Sequence, residues 1–353
     1  MRTIIVTSTK PFTGKSGIAV TLIDLLADRG LDVGYFKPYG TMPVTVDGVL
    51  TDEDAAYINP RLHRPSALPD VCPVVRSQAM IEHVLGGDGP SVSGRVVDAF
   101  AACSRDRDVM VVEGPTEPAQ GTSVGLSATA VADLLNAPVL LIDRPRPTDL
   151  PEDALHVAAQ LGTRLAGLVL NGVHEEHLSM TRDRVVPFLE SRGARVFGVL
   201  PYDPPLGSVT VDEIVDALGG RVLSGHENLD RPVESFMVGA MGQEKALRFF
   251  RRKANKAVIT GGDRADVQMA ALETSTECII LTGNMPPSQP VLARAEDLGV
   301  PMVLVDTDTL TAVERTETLL GRVHLHDAAK AVRIRGIFER EVDVPALLAS
   351  VGL

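Results

Sequence analysis

Short β-branched apolar runs alternate with stretches in which apolar residues recur every three to four positions, and this alternation persists through two thirds of the chain. RTIIVTS at the start predicts a strand, and Gly17 to Arg29 puts Ile18, Leu22, Leu25 and Leu26 on one helical face. DVGYFKP, DVMVVEGP, APVLLIDRP, LAGLVLNGV and RVFGVLPYD predict five further strands, with helices between most of them. Strands that are apolar throughout and separated by helices belong to a parallel sheet covered on both faces, so the first half predicts a doubly wound α/β fold.

From Gly219 to Pro232 the pattern lapses into GGRVLSGHENLDRP, a polar, glycine-containing stretch that predicts a linker. The alternation resumes with SFMVGAM, a helix from Gln243 to Lys253, KAVITGG, a helix from Asp263 to Thr274, CIILTGN, a helix from Gln289 to Leu298, and PMVLVDTD. That is a second, smaller parallel α/β unit, and Thr309 to Leu353 reads as mostly helical. The expected organisation is a first domain over 1–218, a linker over 219–232 and a second domain over 233–353.

Composition narrows the classes. A length of 353 residues exceeds a usual single domain, and 44% apolar content supplies two cores, built from aliphatic side chains because aromatics make up only 4% and Trp is absent. No run of about 18 uncharged apolar residues occurs, which predicts a soluble, cytoplasmic protein with no membrane partner. A formal net charge of -12 argues against nucleic acid as a partner. Cys72, Cys103 and Cys278 are widely spaced with no C-x-x-C, and read as small buried apolar residues of a protein in a reducing compartment. Met237 and Met241 read as core. His324 and His326, beside Asp327 in VHLHD, read as an exposed segment rather than a metal site.

The first strand runs into TSTKPFTGKS, Thr7 to Ser16, and then into a helix. Strand, loop and helix is the context of a phosphate-binding loop, whose amides and helix N-terminus attract an anion. Lys15 then reaches phosphate oxygens and Ser16 offers a hydroxyl to Mg²⁺. Ser8, Thr9, Lys10, Thr13, Gly14, Lys15, Ser16 and Gly17 are therefore candidate nucleotide-binding residues. The glycine that usually opens such a loop is missing, with Ser8 and Thr9 in its place, and neither visits positive φ as cheaply as Gly. Asp54 follows one strand and Glu113 ends another at the edge where parallel sheets bind ligands, so with Ser16 they can complete a Mg²⁺ shell. Asp52 and Asp54 are alternatives as a helix cap. Lys37 ends the second strand, where a cation can stabilise charge in phosphoryl transfer.

TGKS, VGYFKPYG, DEDAAY, DVMVVEGP, LAGLVLNGV and VFGVLPYD, in this order over roughly residues 1 to 218, resemble dethiobiotin synthetase and the related N-terminal domain of long bacterial phosphotransacetylases. The resemblance implies ATP and Mg²⁺ as cofactors, Asp54 and Glu113 as metal ligands, Lys37 and Lys15 as catalytic groups at the transferred phosphate, and Asn171 as the adenine reader. An Asn that forms the turn beside Gly172 is the alternative. K-x-x-x-G-K-S at Lys10 resembles the deviant phosphate loop of the MinD and nitrogenase iron protein class, in which such a lysine crosses a dimer interface; a solvated loop lysine is the alternative. EGPTEPAQG at Glu113 departs from the EGAGG of the ligase, and Pro115 removes a backbone donor there. The cobyrinic acid diamide synthetases, which share the loop, append a glutaminase domain whose nucleophile finds no counterpart around Cys278.

VITGGDRADVQMAAL resembles the signature of the DRTGG domain. Thr260, Gly261, Gly262, Asp263, Arg264, Thr282, Asn284 and Asp306 line one expected sheet edge and are candidates for a small ligand or a subunit contact, with Asp263 as helix cap. Arg264 opposes the helix dipole and needs a partner. Three functions follow: a Mg-ATP-responsive regulatory module acting on a partner enzyme of central metabolism, an ATP-dependent ligase phosphorylating a carboxylate or carbamate, and a dimeric switch ATPase using Lys10. Both resembled domains imply a homodimer. ATP and GTP remain alternatives, and neither acetyl transfer by this chain alone nor glutamine-dependent amidation is expected.

Overall fold

A computed structural model describes residues 1–87, 92–146, 149–320 and 328–353, so His324, His326 and Asp327 lie outside the described residues. RTIIVTS is strand β1 (Arg2–Ser8), followed by helix α1 (Lys15–Ala27), β2 (Val33–Phe36), a hairpin of β3 (Pro43–Val46) and β4 (Val49–Asp52), and helix α2 (Glu53–Ile58). The sheet is continued by β5 (Val109–Glu113), β6 (Val139–Asp143), β7 (Leu165–Val173) and β8 (Val196–Pro201). The six-stranded order is β2-β5-β1-β6-β7-β8, parallel throughout, as the uninterrupted apolar strands require. Because β1 is central, Ser8, Glu113 and Asp143 all emerge at the same edge, with Lys37 one residue beyond β2. The hairpin β3–β4 is partly exposed, with only Thr51 and Asp52 buried, and was not legible as strands.

The second unit contains β9 (Val209–Thr210), β10 (Arg221–Ser224), β11 (Pro232–Val233), β12 (Ser235–Val238), β13 (Lys256–Gly261), β14 (Thr276–Thr282) and β15 (Met302–Leu304). Its main sheet runs β10-β15-β14-β13-β12, parallel except for β10 at one edge. Strand alternation feeds two cores. Val258, Ile279, Leu281 and Met302 pack with Phe250 and Val267 on one face, while Ala257, Ile259, Cys278 and Ile280 pack with Ile214, Leu218 and Ala312 on the other. Met237 is buried in the first of these cores and Met241 packs against it. All three cysteines are free and buried.

The division into compact units differs from the expected boundaries. The stretch 219–232 is not a bare linker: it contributes β10 to the second sheet, while β9 and β11 pair with each other. Residues from Asp203 onward therefore fold with the second unit. The C-terminal helices Ala328–Glu341 and Val344–Ser350 belong to the first. There Ala331, Ile334, Ile337 and Phe338 are buried, and the longer helix packs on α1. No helix among the described residues is long and apolar enough to cross a membrane.

Candidate functional site: the loop after the first strand

Gly14 sits at φ 83°, in the left-handed region, and α1 starts immediately after it. The positive φ favours glycine, and a Cβ at Gly14 would stand 2.4 Å from Asn171 Nδ2 and displace that amide. The helix has no side-chain cap and no acidic residue in its first turn, which leaves its leading N–H groups and positive dipole end open to an anion. Thr13, only 2% exposed, has a buried hydroxyl with no hydrogen-bond partner among the described residues. That orphaned atom lies within the loop and fits a phosphate oxygen.

Ser8 and Thr9 do not adopt positive φ, so the missing glycine is not replaced by a strained residue at either position. The loop's other left-handed residue is Phe12, at φ 60°. Instead, Thr7 Oγ1 and Ser8 Oγ donate to the carbonyls of Pro115 and Thr116 at 2.7 Å each, and Thr9 Oγ1 donates to Asp143 at 2.5 Å. The hydroxyls tie the end of β1 to the segments that follow β5 and β6.

At the mouth of the loop, Ser16 Oγ lies 2.8 Å from Glu113 Oε1 and 3.3 Å from Asp54 Oδ2. Lys15 Nζ pairs with the same Glu113 oxygen. Lys37, 3% exposed, contacts Asp54 at 2.5 Å, Asp52 at 2.6 Å and Glu113 at 3.5 Å. Burial alone would raise the Glu113 carboxyl, but Lys15 and Lys37 outweigh it and hold that group below the usual carboxylate range. Burial, with Glu113 adding to it, pushes Asp54 up to about 6 in spite of Lys37. Burial would lower the Lys37 ammonium, yet Asp54, Glu113 and Asp52 raise it well above its ordinary value.

Three carboxylates thus face two ammonium groups, leaving one negative charge in a buried cluster. A hydroxyl and two carboxylates are hard oxygen donors, so both the charge and the donor set fit Mg²⁺. Among the described residues no group of three or more His, Cys, Asp and Glu side chains is arranged to hold a metal unaided. Ligands from a bound phosphate would have to complete the shell.

Asp52 and Asp54, left as alternatives by the sequence, separate cleanly. Asp52 caps α2 by accepting from Asp54 N at 3.0 Å and also accepts from Thr41 N and Met42 N at 2.9 Å, whereas Asp54 faces Ser16. Asn171 Nδ2 donates to Thr13 O at 2.7 Å and so clamps the loop. Its Oδ1 remains available to a base edge. Lys10 lies 3.9 Å from Asp143 and 3.8 Å from Asp153 of its own chain. Gly17 is buried in the first turn of α1 and its carbonyl accepts from Thr21.

Tyr35 was missed by the sequence reading. Its hydroxyl donates to Glu113 Oε2 at 2.9 Å, and the available signal was period two, which puts Tyr35 and Lys37 on one face of β2. The loop after Glu113 offers little to a co-substrate: Gly114 N donates to Val6 O, Pro115 has no N–H, and Thr116 N donates to Gln120 Oε1.

In the second unit the GGDR turn is tied internally. Arg264 donates to Asp266 from two nitrogens and to Met241 O at 2.8 Å, which supplies the partner its position demanded. The helix begins at Ala265, and Asp263 is not its cap. Gly262 is required by neighbouring backbone, because a Cβ there would stand 1.6 Å from Met285 O. Thr260 Oγ1 donates to Gly239 O, Thr282 hydrogen-bonds Thr260 O and Thr309, Gly261 O accepts from Gln268, Asn284 adopts φ 53°, and Asp306 is exposed. These residues do share one sheet edge.

Comparison with known proteins agrees with this architecture. The model of the AAA domain matches residues 2–210, and that of the DRTGG domain matches residues 213–319. The phosphate acetyltransferase of Synechocystis sp. is 26% identical over 97% of this chain and 50% of its own length. The ATP-dependent dethiobiotin synthetase BioD of Bacillus licheniformis is 28% identical over 49% of this chain and 74% of its own. The chain spans about half the length of the phosphate acetyltransferases it matches. Among solved structures, the cell division ATPase MinD of Pyrococcus furiosus is a loose likeness, with TM-score 0.37 and 22% identity over 58% of this chain and 85% of that one. With the family model covering more than half its length, the chain belongs to the AAA domain family and carries a DRTGG domain after it.

Proposed function

We propose that the first unit binds a magnesium–adenine nucleotide and that the chain acts as a nucleotide-responsive regulatory module on a partner enzyme. The observation that carries this reading is Ser16 Oγ between Glu113 and Asp54 at the uncapped head of α1. Lys15 and the loop amides would hold phosphates, Ser16, Asp54 and Glu113 would hold the cation, and Asn171 would keep Gly14 in its left-handed turn. The cation supplies charge neutralisation at the phosphates. Regulation is favoured over turnover because the first three positions after Glu113 have their amides engaged or absent, which leaves none of those three as a donor for a co-substrate carboxylate.

A second reading, an ATP-dependent ligase, is favoured by the buried Lys37 beside Asp54 and by the similarity to dethiobiotin synthetase. The trans-acting switch has less support, since Lys10 is engaged within its own chain. An acetyl-transfer enzyme as the partner accords with the name of the phosphate acetyltransferase relatives, and a homodimer in the cytoplasm is part of the same proposal. The test is equilibrium binding of ATP and ADP with Mg²⁺, combined with phosphate release in the presence and absence of small carboxylates. Saturable binding without carboxylate-stimulated release is expected; stimulated release would favour the ligase, and no binding would overturn both.

A further inference from the structure

Glu113 divides its two oxygens between two jobs. Oε1 faces Lys15, Ser16 and, at 3.5 Å, Lys37, while Oε2 accepts the Tyr35 hydroxyl at 2.9 Å. Tyr35 lies on β2 opposite Val111 of β5, two residues before Lys37, so period two and parallel register carry its ring under the Glu113 carboxylate. The ring is 1% exposed. A carboxylate held by one oxygen can rotate about its last torsion, a broad, two-fold well, and present either oxygen. One held by both cannot.

We propose that Tyr35 is a positioning residue: its phenol locks the Glu113 carboxylate so that one oxygen stays toward Ser16, and thereby sets how strongly the site holds the divalent cation that accompanies a nucleotide. This rests on the nucleotide-binding reading above. The phenol is suited to the task because it is a neutral donor whose ring fills the core. Without that donor only Oε1, held by Lys15 and Ser16, would fix the Glu113 carboxylate.

The test is Tyr35→Phe, which keeps the ring and deletes only the hydroxyl. ADP affinity is measured by calorimetry with excess Mg²⁺ and again with EDTA, in wild type and variant. With one hydrogen bond to a charged group lost, the gain in affinity conferred by Mg²⁺ should fall roughly tenfold or more, while affinity in EDTA stays within about twofold. Equal weakening with and without Mg²⁺ marks a merely structural role and overturns the proposal, as does an unchanged Mg²⁺ gain. Wild type that binds no nucleotide sinks the underlying reading as well, so the two failures are distinguishable. As a second check, Tyr35→Phe introduced into Glu113→Gln should cost almost nothing further, and full additivity would overturn the idea.

Discussion

Lys37→Met is the sharpest probe of the buried charge cluster. The substitution keeps most of the stem volume and removes only the ammonium, leaving Asp52, Asp54 and Glu113 opposed by Lys15 alone. Removing one partner of a buried ion pair costs about 3–5 kcal/mol, because the orphaned charge stays desolvated. For a unit of this size each kcal/mol moves the unfolding midpoint by about 2–4 °C, so a drop of roughly 6–20 °C is expected at pH 7.5. Two compact units need not unfold together, so the loss is best followed by hydrogen exchange of amides in β1 and β5 alongside thermal melting. Lowering the pH to 5 should narrow the gap, since Asp54, already pushed up to about 6, then takes a proton and relieves the excess charge. A drop of less than about 2 °C, or a drop equal at both pH values, would refute the claim that these charges are buried and mutually dependent.

Other consequences follow from the same geometry. Asp54 titrates higher folded than its ordinary 3.8, so the folded state takes up the proton first; this group's contribution to stability rises as pH falls from 6 toward 4 and is lost as pH rises through 6. In binding, that proton competes with Mg²⁺, and the Mg²⁺ gain in nucleotide affinity should decline by up to about tenfold per pH unit below 6; a profile identical in Asp54→Asn would remove Asp54 from the cation site. Gly14→Ala should weaken nucleotide binding about tenfold or more by calorimetry, because φ 83° is strained for alanine and the new Cβ displaces the Asn171 amide from Thr13 O. Gly262→Ala should destabilise the second unit by several kcal/mol through its clash with Met285 O yet leave nucleotide affinity within about twofold, as chemical denaturation and calorimetry would report.

The sequence made the strongest local signals legible. All six strands of the first sheet fall where apolar runs were bounded by Gly, Pro or charge, and LAGLVLNGV corresponds residue for residue to β7. The G-K-S ending and Glu113 were readable because strand ends of a parallel sheet converge on one edge, whereas Asp54 reaches Ser16 from α2, after the antiparallel β3–β4 hairpin. What escaped depends on neighbours remote in sequence. Ser8 stands near where a glycine is usual without adopting positive φ, and its hydroxyl reaches Thr116 O, 108 residues away. Strand β10 is four residues at a sheet edge, flanked by glycines, and reads as a linker until β15 is beside it. The amphipathic helix Ala328–Glu341 is evident from its periodicity, but nothing along the chain states that its apolar stripe packs on α1. Arg264 declared its need for a partner, and Asp266, two residues on, was near enough to be guessed.

The central claim is that the amides from Thr13 to Ser16, with Lys15, enclose a polyphosphate. Calorimetry of Mg-ATP against wild type and Lys15→Ala, with the variant's fold checked by circular dichroism, tests it most directly. Loss of one charge-assisted contact of about 1.5–3 kcal/mol predicts a fall in affinity of roughly 10- to 150-fold. Affinity unchanged by the substitution would mean that phosphates do not sit at the head of α1.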